Sequence, residues 1–138
     1  MIRLRARQVE LVAAGELSSR DRAELDKAIR SAEQECRFEF SLFVGSAQGD
    51  SRVYAERLHG SLVAPGRSVL VLVDRTARVI EVVTGSEVRR HLSDREVELS
   101  VFAMQSAFAA GDFVGGLKHG LAMLAEHARP QNTLHAGV

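Results

Sequence analysis

Four aspartates stand where predicted strands or helices begin or end, and their placement could support metal chemistry. Asp50 closes a loop after one apolar strand, Asp74 ends a second apolar strand, and Asp112 precedes the last predicted helix. Carboxylate oxygens are the ligands that a hard cation such as Ca²⁺ prefers. One interpretation is therefore a metal site formed by Asp50, Asp74 and Asp112, with Asp94 as a further candidate ligand at the other end of the sheet.

The predicted topology bears on whether these carboxylates can meet. Two strands predicted to be parallel end at Val44 and Val73, so the residues that follow them lie at one end of the sheet, where α/β folds usually bind ligands. The third helix begins at the opposite end, and its course returns Asp112 to the first end. The alternative interpretation is structural, because aspartate also caps helices and forms turns. The sequence leaves both interpretations open.

The other residues that could take part in a reaction give no catalytic assignment and no cofactor site. The loop at residues 45–50 lacks the Lys and Ser/Thr ending of a P-loop. The histidines are His59, His91, His119, His127 and His135. None of them are three or four residues apart, so no helix offers two histidines to one metal ion, and we expect solvated or capping roles. Cys36 lies on an apolar helical stripe, which favours a buried structural thiol.

The composition excludes some classes of function. The chain has 138 residues, with 18 Lys plus Arg and 18 Asp plus Glu, so no global positive field attracts nucleic acid. No stretch approaches the roughly 18–20 apolar residues of a membrane span. The first 19 residues carry three Arg but no apolar signal-peptide core. We therefore expect one domain over residues 1–129, a polar tail over residues 130–138, and a cytoplasmic location.

The elements that position the aspartates centre on residues 69–83, VLVLVDRTARVIEVV. The run predicts a hairpin whose first strand is apolar on both faces, which is typical of a buried central strand. A strand at residues 38–44 and a helix that begins after Asp50 and stops at Pro65 complete a βαβ unit. Ser93 and Glu96 predict a capping box.

The remaining helices follow from the same signals. One begins at Ser18 or Ser19 and ends near Arg37, and the last begins after Asp112. A short alternating segment at residues 8–14 is either an edge strand or a lead-in. The predicted fold class is α/β, a three-layer α-β-α sandwich with a mixed sheet of three or four strands, one βαβ unit and one β-hairpin.

The order of these elements resembles the TPM domain, a small α/β domain of thylakoid-lumen and photosystem repair proteins and of many bacterial proteins. The similarity covers about residues 11–128 and is closest to an uncharacterised actinobacterial branch. It rests on AGELS (14–18), FSLFVGS (40–46), Tyr54-Ala55, the hairpin through Gly85, HLSD (91–94) and FAAGDFVGGL (108–117). Asp94 matches a family acidic position, whereas Val12 and Arg89 stand where the family often has carboxylates.

The resemblance implies several functions. Family members are usually exported or membrane-anchored; some are reported as calcium-binding or as acid phosphatases, and others are assembly modules. We expect a non-catalytic binding or scaffolding module with an unidentified protein partner. The alternative is a calcium- or metal-dependent phosphatase that acts on phosphate esters, with the ion held by Asp50, Asp74 and Asp112 or by Asp94. A third hypothesis is a homodimer formed through an uncovered edge strand or the glycine-bearing last helix.

Overall fold

The computed structural model describes residues 17–130. The helices are α1 (Ser19–Cys36), α2 (Ser51–Gly60), α3 (Asp94–Ala109) and α4 (Phe113–Ala128). The strands are β1 (Glu39–Val44), β2 (Ser68–Asp74) and β3 (Val79–Thr84), and short 3₁₀ turns occupy Pro65–Arg67 and Val88–Arg90. The segment predicted at residues 8–14 and the tail from residue 131 onward lie outside the described residues.

Strand β2 is the centre of a three-stranded sheet of order β1-β2-β3 within the described part of the chain. It pairs in parallel with β1, where Leu42 faces Val71, and antiparallel with β3, where Val71 faces Val82. Every residue of β2 is buried. The prediction of a buried central strand inside a mixed sheet is therefore confirmed, and so is the α/β fold class.

Helices cover both faces of the sheet and form two apolar cores. On one face, Leu42 and Val71 belong to a large core shared with α1, α3 and α4. On the other face, Phe43 and Leu72 pack with Ala55 and Leu58 of α2. The result is the three-layer arrangement that the sequence predicts.

Side-chain caps fix where the helices begin. Ser18 and Asp21 form a capping box on α1, and Ser93 and Glu96 form the predicted box on α3, where the Ser93 N–H donates to Glu96 Oε1 at 2.9 Å. Each reciprocal pair satisfies two backbone N–H groups that the helix itself leaves without partners. These boxes are local, so four residues of sequence are enough to predict them.

Helices α3 and α4 approach each other closely because α4 carries glycines on the contacting side. A Cβ atom at Gly120 would lie 2.4 Å from Met104 Cγ, and one at Gly116 would lie 2.8 Å from Ala107 Cβ. No side chain fits at these separations. The glycines therefore allow the close packing that offsets their poor helix propensity.

Two local predictions are wrong. Helix α2 ends at Gly60 rather than at Pro65, and the Ser61 hydroxyl donates to the carbonyl of Leu58 at 2.7 Å, which satisfies one of the last helical carbonyls. His59 is buried rather than solvated, with its Nε2 3.0 Å from the Ser68 carbonyl oxygen.

Candidate functional site

Asp74 is a buried carboxylate that holds two loops at the carboxyl end of the sheet. Its Oδ2 accepts from the N–H of Ala47, in the loop after β1, and its Oδ1 accepts from the N–H of Ala77, in the hairpin turn, both at 3.0 Å. These bonds satisfy backbone donors that would otherwise be unpaired. The side chain therefore stabilises both loops and uses both of its oxygens to do so.

Asp50 and Asp112 lie beside the same end of the sheet and cap helices. Asp50 Oδ1 accepts from the Val53 N–H at 2.9 Å, and Asp112 Oδ1 accepts from the Gly115 N–H at 3.0 Å. Asp94 begins α3, which places it with the Ser93 capping box. We refer to Asp50, Asp74 and Asp112 as the aspartate rim.

The structure gives the aspartate rim a role in turns and caps. Within residues 17–130, no group of three or more His, Cys, Asp or Glu residues is arranged to hold a metal ion. The predicted site of Asp50, Asp74, Asp112 and Asp94 thus remains a prediction that rests on residue type and topology alone.

Ionisable groups with shifted pKa values have local causes. Cys36 is buried, as predicted, and burial raises the pKa of its thiol, which favours a structural role over that of a nucleophile. Burial also raises the pKa of Asp26, a residue of α1 whose Oδ1 has no hydrogen-bond partner among the described residues. The hydrogen bond from the Ser93 N–H lowers the pKa of Glu96. Each shift thus arises from helix packing or a helix cap.

An apolar groove lies between β3 and α3. One cleft of this groove has a volume of about 530 Å³. Apolar side chains of both elements line it, namely Ile80, Val82, Val97, Leu99, Val101 and Phe102. Arg52, Glu81, Arg95, Glu98 and Gln105 are its polar lining residues. Phe102 is 67% exposed, which is unusual for an aromatic side chain.

A second cleft of about 500 Å³ continues the groove toward the hairpin turn. Ile80 and Gln105 line both clefts, so the two meet there. The walls of the second cleft include Phe108 and Phe113, whose ring centroids are 4.8 Å apart. Arg75 and Arg78 of the turn, and Asp74 beneath them, supply its charges, and the Arg75 guanidinium lies 3.9 Å from the Phe113 ring centroid. We refer to the two clefts together as the β3–α3 groove.

The groove follows the outer edge of β3, where arginine side chains already bind some of the backbone carbonyls. The Gly85 N–H donates to the Ser68 carbonyl, which shows which residues of β3 bond to β2. Because these residues alternate along an antiparallel pair, the backbone N–H and C=O groups of Ile80, Val82 and Thr84 point away from β2. Arg52 Nη1 donates to the Val82 carbonyl at 2.8 Å, and Arg89 donates to the Thr84 carbonyl. Side chains that occupy an edge in this way oppose pairing with another strand along its full length.

A sequence signal for the groove exists, although the predictions above do not use it. Leu99 and Phe102 lie on α3 but away from the helical stripe that contains Met104. Apolar residues on a second face of a helix indicate a second contact surface. Their meaning depends on the position of α3 beside β3, which the helical pattern does not specify.

A family model described as a domain of unknown function, DUF5130, matches residues 5–125 of the chain. The chain belongs to the DUF5130 family. This DUF5130 chain is 31% identical over 110 residues to the uncharacterized protein Rv2468c of Mycobacterium tuberculosis strain H37Rv. The match covers 80% of the chain and 66% of that relative, so the chain spans just under two thirds of the relative's length. The comparison thus relates this DUF5130 chain to an actinobacterial protein of unassigned function.

Solved structures share the fold of this DUF5130 chain. The BA42 protein of Bizionia argentinensis superposes with a TM-score of 0.73 at 21% identity and covers 83% of each chain. The N-terminal domain of cg2496 from Corynebacterium glutamicum gives a TM-score of 0.67 at 15% identity, over 91% of this chain and 84% of that one. At these identities the similarity concerns architecture alone.

Among residues 17–130, no helix combines the length and the apolar character that crossing a membrane requires.

Proposed function

We propose that this DUF5130 chain is a non-catalytic binding module of the TPM type, and that it binds a partner protein in the β3–α3 groove. The observation that carries the proposal is the exposed apolar surface of α3 beside the outer edge of β3. Phe102 and Leu99 are 67% and 47% exposed there. Exposed aromatic side chains that are surrounded by residues of both charges are typical anchors of protein interfaces.

The energetic argument concerns Phe102. A buried phenylalanine removes roughly 150–250 Å² from water, and about two thirds of that surface remains available on Phe102. Covering it with a partner contributes about 3 kcal/mol at the usual area coefficient. That amount is typical of a residue that dominates an interface, and the folded chain does not use it.

The alternative function, a metal-dependent phosphatase, requires carboxylate oxygens that are available to an ion. In the aspartate rim, Asp74 uses both oxygens for backbone N–H groups, and Asp50 and Asp112 each use one. A cation would have to share these oxygens with the backbone N–H groups that they already bind, which leaves fewer lone pairs for the ion. The geometry therefore supports a binding module better than a phosphatase.

A displayed library of random peptides tests the proposal. We expect the native chain to retain peptides that the Phe102→Ser variant does not retain, because that substitution removes the apolar anchor and leaves β3 unchanged. Val63→Ser is the matched control, since Val63 is 81% exposed and is not a groove residue. This control variant should retain the same peptides as the native chain.

Equal unfolding midpoints of the three proteins would establish that the comparison reports on binding. Peptides that are retained equally by the native chain and by Phe102→Ser would place the binding surface elsewhere. A library from which the native chain retains no peptide above background would contradict the proposed function altogether.

A further inference from the structure

We infer that the occupant of the β3–α3 groove is an extended, mainly apolar peptide segment with a carboxylate at one end, and that this carboxylate lies at Arg78. The inference rests on the proposed function and specifies the partner. It stands on the length of the groove, on the polar groups at its middle, and on the difference in charge between its two ends.

The length of the groove fits a short extended segment. Its lining residues on α3 run from Arg95 to Ala109, which corresponds to about 21 Å of helix. An extended chain rises about 3.3 Å per residue, so about six residues span the groove. Alternate side chains of such a segment point to one side, where Val101 and Phe102 present apolar surface.

The middle of the groove is polar in a way that suits a peptide backbone. Ile80, which lines both clefts, turns its N–H and C=O groups outward, and the Gln105 amide lies on the opposite wall. A peptide can exchange hydrogen bonds with these groups. A hydrocarbon chain in the same place would cover them without replacing their bonds to water, which disfavours it as the occupant.

The two ends of the groove differ in charge. At the Arg95 end, the positive charges are balanced, because Arg52 Nη1 lies 3.5 Å from Glu81 Oε1 and Glu98 stands on the same wall as Arg95. At the hairpin end, the Asp74 carboxylate is occupied by two backbone N–H groups. No ion pair among residues 17–130 includes Arg78, which is exposed in the turn. A carboxylate is therefore favoured at Arg78.

The backbone at Arg78 limits which residues can replace the arginine. Its φ angle is 57°, in the left-handed region where glycine and asparagine are favoured. A variant that tests the guanidinium must therefore place a residue there that tolerates this conformation.

Fluorescence anisotropy with labelled hexapeptides tests the inference. One probe alternates valine and threonine and ends in glutamate amide, a second ends in glutamine amide, and a third ends in glutamine with a free carboxylate. We expect the two carboxylate peptides to bind about three- to fivefold more tightly than the glutamine amide, the size of an exposed ion pair. Comparison of the first and third probes separates a side-chain carboxylate from a chain terminus. The preference should fall between 0.15 and 0.5 M salt.

A matched pair of variants assigns the effect to Arg78. Arg78→Asn removes the cation and keeps a residue that tolerates φ near 57°, so the three peptides should then bind equally. Arg37→Asn makes the same change at the other described non-glycine residue with positive φ, at the end of α1, and should leave the preference intact. Equal unfolding midpoints for the two variants exclude a folding effect.

Several results would overturn the inference. They are equal affinity for all three peptides, a preference that survives Arg78→Asn, and no binding of any hexapeptide. Binding of dodecanoate that depends on Arg78, without binding of peptides, would identify a lipid chain as the occupant instead. If the library selects groove-dependent peptides that have neither an acidic side chain nor a free carboxyl terminus, the proposed function stands and only this inference fails.

Discussion

The aspartate rim and the β3–α3 groove lie next to each other and differ in how their side chains are used. In the rim, Asp50, Asp74 and Asp112 all accept hydrogen bonds from backbone N–H groups nearby. In the groove, Phe102 and Arg78 are directed to solvent, with most of the Phe102 ring uncovered. The rim stabilises loops and helix starts, whereas the groove is surface that the fold leaves available.

The comparison separates residues that the fold itself uses from residues that it leaves available, two roles that a sequence does not distinguish. A carboxylate at the end of a strand suggests metal chemistry until its hydrogen-bond partners are known. An aromatic residue on a helix suggests a core contact until its exposure is known. Substitutions in the rim should therefore change stability, and substitutions in the groove should change binding.

The largest effect should come from Asp74→Ala. It removes a carboxylate that is 6% exposed and that accepts from the N–H groups of Ala47 and Ala77, and each hydrogen bond to such a charged group contributes about 1.5–3 kcal/mol. We expect the free energy of unfolding, measured with urea, to fall by about 3 kcal/mol. Asp94→Ala, an exposed substitution in the first turn of α3, should cost only about 0.5 kcal/mol. Equal losses for the two variants would contradict the structural role of Asp74.

A smaller loss should follow from removing the two caps. Asp50→Ala and Asp112→Ala should each lower the free energy of unfolding by about 1 kcal/mol, because each removes a side-chain acceptor at a helix start. Asparagine caps a helix equally well, so Asp112→Asn should retain most of the stability. Phe102→Ser, in contrast, should change stability by less than about 0.5 kcal/mol. A cap variant as stable as the native chain would show that the rim contributes no more to stability than the groove does.

The pH dependence of stability offers a finer test on α3, the helix that forms one wall of the groove. The Ser93 N–H lowers the pKa of Glu96 in the folded chain, so the folded state binds fewer protons there than the unfolded state. The stabilisation is present above the ordinary glutamate pKa of about 4.3 and is lost as pH falls through the lowered pKa. Urea unfolding of Glu96→Gln between about pH 6 and 3 should show a weaker pH dependence than the native chain. The same slope for both proteins would contradict this contribution.

Local signals allowed much of the fold to be predicted. The apolar run at Val69–Val73 identifies a central strand because no polar residue alternates within it, and the Ser93 and Glu96 box identifies the start of α3. The end of α2 was less predictable. The helix stops at Gly60 before the proline that would have stopped it, and tertiary packing keeps Leu62 buried beyond that point.

The candidate site was predictable only in part. The parallel strands place the loop that precedes Asp50 next to Asp74. The start of α4 lies beside Asp74 as well. The hydrogen bonds that occupy these carboxylates depend on loop geometry that spacing does not specify. The groove depends on the lateral position of α3, which leaves Val97 and Val101 only partly covered, and a helical pattern gives no lateral position.

The smallest expected effect is the response to calcium, and it tests the comparison most directly. A cation that binds the folded chain with a dissociation constant of about 10 μM would stabilise it by about 2.7 kcal/mol at 1 mM. Because the rim carboxylates already accept backbone N–H groups, we expect the unfolding temperature to be the same within about 1 °C in 1 mM CaCl₂ and in EDTA. A rise of several degrees that Asp74→Asn abolishes would mean that the rim carboxylates can both hold their loops and bind an ion. The rim would then be a ligand site in its own right, and the division between structural carboxylates and an available groove would no longer describe this fold.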